Sequence, residues 1–539
     1  MKTPKAVFVN PSRITTGSAF VMPAAQATLA GAVPGNLDIE LKVVDEAIER
    51  FDPSLINAGD IVCVSALTNN VIEAYRVARQ AKDRGATAVL GGPHPTLLPE
   101  EAIRFGADAV VRGDGDTIIG RVLEDCITGK IIASRVYQDP SGQPFRVSGE
   151  QMAYPRLDLM KMDRYVAASL RSAQGCREHC SFCTVPVISG HAVRDRPVEV
   201  VAREVRELHR RKIRFVIWGA DNLVQYPRSL VESARPAERA VFEAERERSL
   251  NFFRRFGQLT GDERVWGFAQ LTLRLHDDPE MLRALSHDGA ICAALFGIES
   301  VDPAALKRMA KQWNGTRDEI VEKVKRIQRG GIHVLGSMIV GLPTDTPETM
   351  EAMRKFAVES GMSVAQFPIY EVLPGSPDYA QAKRDLAQRQ AAAQSLPIYS
   401  RETQVPRVRL LRDEYWLERD TSPHLEHPHL SIAAIRKQGR KSWRYFYRLK
   451  FLFGNGIRYR WPLRRTAVYA LVCKAFATFY GGAVGLSADS VRVGNASFVM
   501  RKLMAAAAWG MRKIPPPARV SSAAGNEGKQ VVAIDTLAS

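Results

Sequence analysis

Short apolar runs alternate with helical patterns along most of the first 385 residues, and that rhythm admits few architectures. AVFVN (6–10), IELKVVD (39–45), DIVCVSA (60–66), TAVLGG (87–92) and DAVVRG (108–113) read as buried strands, with VIEAYRVARQAKDRG (71–85) and PEEAIRFG (99–106) as helices among them. Strands buried on both faces and joined by helices form a parallel sheet, so this part predicts a doubly wound, Rossmann-like α/β domain. Several of its strands end in glycine or small polar residues, where such folds bind ligands. The rhythm resumes with RFVIWGA (214–220), VWGFAQLT (265–272), ALFGIES (294–300), HVLGSMIVGLP (333–343) and AQFPIYEVLP (365–374). Five or six such units predict a full or partial β/α barrel, with the charged segment 229–258 as a helix on its outside.

These patterns set expected boundaries: a Rossmann-like domain over 1–135, a linker over 136–165 around the turn-rich QDPSGQP (138–144), a partial (β/α)6 barrel over 166–390, a basic, aromatic, mostly helical region over 391–514, and a tail over 515–539 too poor in apolar residues to fold. No internal repeat is present. The 539 residues hold three or four domains' worth of chain, and 45% hydrophobic content is ordinary for globular protein. A net charge of +17 is not ordinary, and implies an anionic partner. The start, MKTPKAVFVNPSR, has no signal-peptide core. Thr466 to Leu486 is apolar but interrupted by Lys474, which suits an interface or a core better than a span. Seven cysteines, an odd and sparse set, do not make a disulfide framework and fit a reducing cytosol.

Three of them, Cys176, Cys180 and Cys183, form C-x3-C-x2-C. Three thiolates can ligate three irons of a 4Fe–4S cube and leave the fourth open to an exogenous ligand. Zinc competes, but a structural zinc site normally needs four ligands, often in C-x2-C pairs; His179 lies inside the motif and no second pair follows. Three unconnected cysteines are the remaining alternative.

GCREHCSFC (175–183) resembles the radical S-adenosylmethionine signature, including the aromatic Phe182 before the last cysteine. In that family the open iron chelates the methionine moiety, and reductive cleavage gives a 5′-deoxyadenosyl radical that abstracts a substrate hydrogen. Downstream, GADN (219–222), GIES (297–300), GSMIVGLP (336–343) and LPGSP (373–377) follow in the family's order. The resemblance implies S-adenosylmethionine contacts at Phe182, Asp221, Glu299, Ser300 and Gly341, and a one-electron reductant such as flavodoxin or ferredoxin. For Glu299 a charge capping a strand end is the structural alternative, and for the glycines tight turn geometry.

A Rossmann-like domain ahead of such a barrel is similar to the cobalamin-binding radical enzymes. SALTNN (65–70), GGPHPTLLPEEA (91–102) and RGDGD (112–116) carry that resemblance. It implies cobalamin contacts at Ser65, Thr68, Gly91, Gly92, His94, Gly113 and Gly115. Sensors and mutases that bind cobalamin carry D-x-H-x-x-G with the histidine on cobalt; that motif is absent, and His94 in G-P-H-P is expected to make a loop hydrogen bond instead. A Rossmann-like domain without ligand is the alternative.

Residues 436–465 hold eleven Lys or Arg and no acid, interleaved with Trp443, Tyr445, Phe446, Tyr447, Phe451, Phe453, Tyr459 and Trp461. One reading is a peripheral membrane element over 436–486, basic residues on anionic headgroups and aromatics at the interface. RNA binding with stacking aromatics and a packed helical extension are the others, and no nucleic acid is expected. The combined expectation is a cytoplasmic radical enzyme, peripheral on the inner face of the membrane, that methylates an unactivated carbon of a small molecule or membrane lipid; its layout resembles hopanoid-type C-methyltransferases. The alternative is a cobalamin-dependent oxidative cyclase or other radical rearrangement without net methyl transfer. A tRNA methylthiotransferase needs three further N-terminal cysteines, and the first 125 residues contain only Cys63.

Overall fold

The computed structural model describes residues 3–13, 15, 17, 19–131, 135–392, 407–417, 424–458, 463, 466, 469, 470 and 473. Tyr459, Trp461, most of 466–486 and the tail 515–539 lie outside them. The chain divides into two compact units, the first holding Met1–Arg177 and Thr184–Asp221, the second Glu178–Cys183 and the described residues from Asn222 on.

In chain order the first unit carries β1 (Lys5–Asn10), β2 (Ala19–Met22), α1 (Ala24–Gly31), β3 (Glu40–Asp45), β4 (Ile61–Ser65), α2 (Val71–Lys82), β5 (Thr87–Gly91), α3 (Pro93–Leu97), α4 (Pro99–Arg104), β6 (Ala109–Val111), α5 (Ile119–Ile127), β7 (Arg135–Tyr137), β8 (Tyr165–Leu170), β9 (Ala173–Gln174), α6 (Val185–Ile188), β10 (Arg194–Asp195), α7 (Val198–Arg210) and β11 (Phe215–Trp218). Six parallel strands form the expected Rossmann-like sheet in the order β3-β1-β4-β5-β6-β7. Its central strands are continuous apolar runs because helices cover both faces; on one face Phe8, Cys63, Val89 and Val111 pack with Ala30, Ile119, Val122 and Leu123. On α2 the buried positions Val71, Ala74, Tyr75, Ala78 and Ala81 recur at helical spacing.

The sequence reading missed β2. It is four residues long with Phe20 52% exposed, too short and one-sided a run to register, and it pairs in parallel with β8 rather than with its sequence neighbours. The expected linker is not a loose tether. Phe145 N donates to Arg112 O at 2.9 Å, Ala153 N to the Asp116 carboxylate at 2.9 Å, and the Tyr154 hydroxyl to Glu207 at 2.7 Å.

The second unit carries α8 (Arg228–Glu232), α9 (Pro236–Thr260), β12 (Trp266–Leu271), α10 (Pro279–Arg283), β13 (Ile291–Glu299), α11 (Pro303–Arg308), α12 (Arg317–Arg329), β14 (His333–Met338), α13 (Pro347–Glu359), β15 (Val364–Gln366), α14 (Pro377–Ala392), α15 (Ile432–Phe446) and α16 (Leu449–Arg458). The half-barrel supplies seven parallel strands, ordered β11-β8-β2 in the first unit and β15-β14-β13-β12 in the second. The expected charged outer helix is α8 and α9 separated by a short break.

The described part of the basic C-terminal region packs as helices, and four of its aromatics are core rather than interface residues. Trp443, Phe446, Tyr447 and Phe451 are buried. Phe367 meets the Trp443 and Phe446 rings edge-on at 5.8 and 6.4 Å, and the Tyr447 hydroxyl donates to Ala365 O at 2.6 Å. The period of α15 puts Trp443 and Phe446 on one face and Lys441 and Arg444 toward solvent, so one helix holds both a core seam and a charged surface. Among the described residues no helix is long and apolar enough to cross a membrane.

Candidate functional site

The cysteine loop leaves the first unit through a tight corner. Gly175 has φ of 92°, and a Cβ there would lie 2.2 Å from Ala192 O, so only glycine fits. Its N–H donates to the Asp221 carboxylate at 2.8 Å, and Cys176 N donates to Gly190 O at 3.1 Å. The antiparallel pair of β9 and β10 clamps the segment that follows. Asp221 therefore holds the start of the loop; burial pushes its carboxyl up, opposed by the Gly175 hydrogen bond. The RGDGD carboxylates serve the same region: Asp114 accepts from Arg194 at 2.9 Å and Gln174 at 3.0 Å, and Asp116 from Arg171 at 2.8 Å.

Cys180 and Cys183 belong to the second unit, where Cys183 N donates to Cys180 O at 3.1 Å in a tight turn. Ser181 donates to Asp378 at 3.2 Å, and Asp378 N returns a bond to Ser181 O at 3.0 Å, fixing the turn to the start of α14. Burial pushes the Cys180 thiol up to about 11, with the Lys311 ammonium pulling the other way. None of the three motif cysteines forms a disulfide and all three are partly exposed, whereas Cys63, Cys292 and Cys473 are buried. Among the described residues no group of three His, Cys, Asp or Glu is arranged to hold a single metal ion. A 4Fe–4S cube asks for something else, since each thiolate takes its own iron; three partly exposed thiols and no fourth cysteine in the motif suit that donor set.

Glu299 ends β13 with φ of 63° across a bulge. It is buried and paired at 2.7 Å with the equally buried Lys311 ammonium. Lys311 lies 5.7 Å from the centres of both the Phe182 and Trp313 rings. A Cβ on Gly297 would stand 2.3 Å from the Glu299 carboxylate and 2.5 Å from Lys311, so this glycine makes room for the pair. Ser300 is buried too, its hydroxyl accepting from Asp302 N at 3.1 Å. Phe182 and Glu299 thus share one neighbour, Lys311, which sequence reasoning missed: twelve residues separate it from Glu299, beyond any helix or strand period.

Gly341 lies in the turn after β14, two residues beyond Ile339, whose N–H donates to Glu299 O at 2.9 Å. The N–H groups of Gly341 and Leu342 both donate to Asp345, at 2.7 and 3.0 Å, and Leu342 O accepts from His427 at 2.7 Å. Burial pushes the Asp345 carboxyl up to about 7. A carboxyl raised above its unfolded value costs stability as pH climbs from about 4 to about 7, and the full cost is present above 7. An Asp345→Asn variant keeps the two acceptances without the charge, so its melting temperature is expected to exceed the parent's at pH 8 and to converge with it toward pH 4; parallel curves would refute this.

In the Rossmann-like sheet, five of the seven residues expected at a cobalamin site come together. Ser65, Gly91, Gly92, Gly113 and Gly115 line a cleft of about 440 Å³, counting the space that opens to solvent, at the carboxyl ends of β4, β5 and β6. Four glycines leave its rim bare of side chains, which fits close approach of a bulky ligand. Thr68 and His94 do not line it. His94 is fully buried, with Nδ1 3.1 Å from the Thr68 hydroxyl and Nε2 3.0 Å from Glu101, itself held by Tyr75. Both ring nitrogens are engaged, so His94 makes the loop hydrogen bonds expected of it and offers cobalt no lone pair.

Comparison with known proteins agrees with this layout. Residues 170–357 match the Radical SAM superfamily and residues 20–123 the B12 binding domain. An uncharacterized methyltransferase of Pyrococcus horikoshii is 28% identical over 63% of this chain and 71% of its own. The hopanoid C-2 methylase of Rhodopseudomonas palustris is 25% identical over 68% of this chain, which spans 65% of that protein. The fold is similar to that of the radical S-adenosylmethionine methyltransferase TsrM of Kitasatospora setae, with cobalamin and a 4Fe–4S cluster bound: TM-score 0.59, 15% identity, 89% of this chain and 100% of that one. The cofactors are a 4Fe–4S cluster, S-adenosylmethionine and cobalamin. A B12 binding domain running into a Radical SAM domain places this chain among the cobalamin-dependent radical S-adenosylmethionine enzymes.

Proposed function

We propose that the chain is a C-methyltransferase that acts on an unactivated carbon, with Cys176, Cys180 and Cys183 holding the cluster. The observation that carries the site assignment is the buried Glu299–Lys311 pair beside Phe182 of the cysteine turn. A carboxylate and an ammonium desolvated together offer S-adenosylmethionine, which bears both an ammonium and a carboxylate, a partner for each. When bound, the cofactors supply hydrogen abstraction and a methyl group, while the protein orients them and excludes water. Phe182 and Trp313 shield the Lys311 ammonium, Asp221 holds the loop entry, and Gly341 sets the backbone turn after β14. The cobalamin domain corresponds to 1–135 and the radical domain to 166–390. A one-electron donor such as flavodoxin or ferredoxin serves as reductant.

The names of the relatives support methylation. Leu449, Phe453 and Ile457 are exposed at helical spacing on α16, next to the exposed Arg448 and Lys450, which supports a peripheral membrane contact and a lipid substrate. The test supplies S-adenosylmethionine carrying a deuterated methyl group to the anaerobically reconstituted enzyme with host extract. One labelled methyl on a carbon of a lipid is expected. Label in a water-soluble product overturns the lipid reading alone; 5′-deoxyadenosine release with no labelled product overturns methylation.

A further inference from the structure

The R-G-D-G-D segment after β6 serves two places at once. Gly113 and Gly115 line the cleft, whereas Asp114 and Asp116 do not. Their carboxylates bind the residues on either side of the cysteine loop. Asp114 accepts from Gln174 at 3.0 Å, where the chain enters the loop, and from Arg194 at 2.9 Å, where it has returned. Arg171 donates to both oxygens of Asp116, at 2.8 and 3.0 Å. Two short routes lead from Asp114 to Cys176. One is the backbone from Gln174. In the other, Arg194 donates to Ser189 O at 2.9 Å, and the next carbonyl, Gly190 O, accepts from Cys176 N at 3.1 Å. All of these residues belong to the first unit, and none of the four charged side chains is more than 17% exposed, so water and salt screen them little. The segment has no slack on its other side. A Cβ on Gly113 would stand 2.3 Å from Phe145 O, and one on Gly115 2.6 Å from the Leu29 side chain. Backbone that moves at the lip of the cleft therefore carries both carboxylates with it.

We infer that Asp114 and Asp116 are positioning residues that key the stem of the cysteine loop to the lip of the corrinoid cleft. A corrinoid seated against Gly113 and Gly115 fixes the segment, and the segment fixes Gly175 and Cys176. This rests on the cobalamin reading of the domain and adds to it a linkage between that cofactor and the first cluster cysteine. Coupling of this kind is carried by contiguous hydrogen-bonded groups and is reciprocal, so an ordered stem also favours the corrinoid.

The experiment is amide hydrogen exchange on the cofactor-free full chain with and without hydroxocobalamin, read on short peptides that cover the cleft (109–118) and the stem (171–177). In the parent, the corrinoid is expected to slow exchange in the cleft and, by at least about fivefold, in the stem as well, the lower end of ordinary coupling between sites. In Asp114→Asn, which keeps the size and one acceptor oxygen, the cleft should be slowed as before, while the stem changes by less than about twofold. The corrinoid effect is taken as a ratio within each variant, so a stem that is merely looser does not move it. Gln174→Met removes one donor to Asp114 and no charge; it carries the same expectation if melting curves show that Asp114→Asn does not fold. Slowing confined to the cleft in the parent, or stem slowing that survives the substitution, overturns the inference and leaves the cobalamin reading standing. A parent slowed at neither place overturns both.

Discussion

Replacing Cys176, Cys180 and Cys183 together with alanine is expected to empty the protein of iron. Anaerobic reconstitution of the parent should load about four irons and four sulfides per chain, since three thiolates suffice for a cube with one open iron. The triple variant should load none and release no 5′-deoxyadenosine from S-adenosylmethionine. Fold should survive, because the three thiols are partly exposed and make no disulfide, and surface truncations outside special sites change stability little. Cys292→Ala is the control: that thiol is buried, its pKa driven up to about 12 by burial, so it should retain iron while losing some packing. Iron content unchanged in the triple variant, or a parent that returns tightly bound zinc and no iron, would defeat the assignment.

Lys311→Met is expected to have the next largest effect. It leaves the Glu299 carboxylate buried with its charge uncompensated, and removing one partner of a buried pair costs about 3–5 kcal/mol. In a unit of this size that is a fall in melting temperature of roughly 5 °C or more. Adding Glu299→Gln should recover much of the loss, because a neutral amide is far cheaper to bury than an orphaned carboxylate; residues in contact couple in this way. S-adenosylmethionine binding should stay weak in the double variant, since both charges proposed to meet it are gone. Stability unchanged in Lys311→Met would mean that the pair is solvated, and a double variant with normal cosubstrate affinity would remove Glu299 and Lys311 from the site.

The parts of the site legible in sequence are those where chemistry is local. A cube needs thiolates on one short loop, so C-x3-C-x2-C is visible in a string. The glycines of the cleft are visible for a related reason: each strand end is a short segment, and G-G and R-G-D-G-D show where side chains are missing. Asp221 was visible as a residue of interest, yet it accepts from Gly175 N, forty-six positions earlier, and no periodicity links the two. Lys311 escaped altogether. It belongs to no motif and matters only through a neighbour brought close by the fold, Glu299 across a bulge.

The C-terminal region shows the same division from the other side. Composition alone allowed a membrane surface, an RNA site or a packed extension, because a run of arginines and aromatics satisfies all three. Packing separated the residues. Trp443, Phe446 and Tyr447 close over β15, and Leu449, Phe453 and Ile457 stay exposed. By itself the sequence determined the α/β class, the order of a Rossmann-like domain and a half-barrel, and the cysteine loop, since period, burial pattern and ligand spacing are properties of neighbouring residues. Tertiary structure alone decided that β2 joins β8, that His94 is occupied, that Lys311 neutralises Glu299, and which aromatics are core. Those outcomes turn on desolvation and on hydrogen bonds between residues far apart in the chain, and a charge or ring has no fixed cost until its surroundings are known.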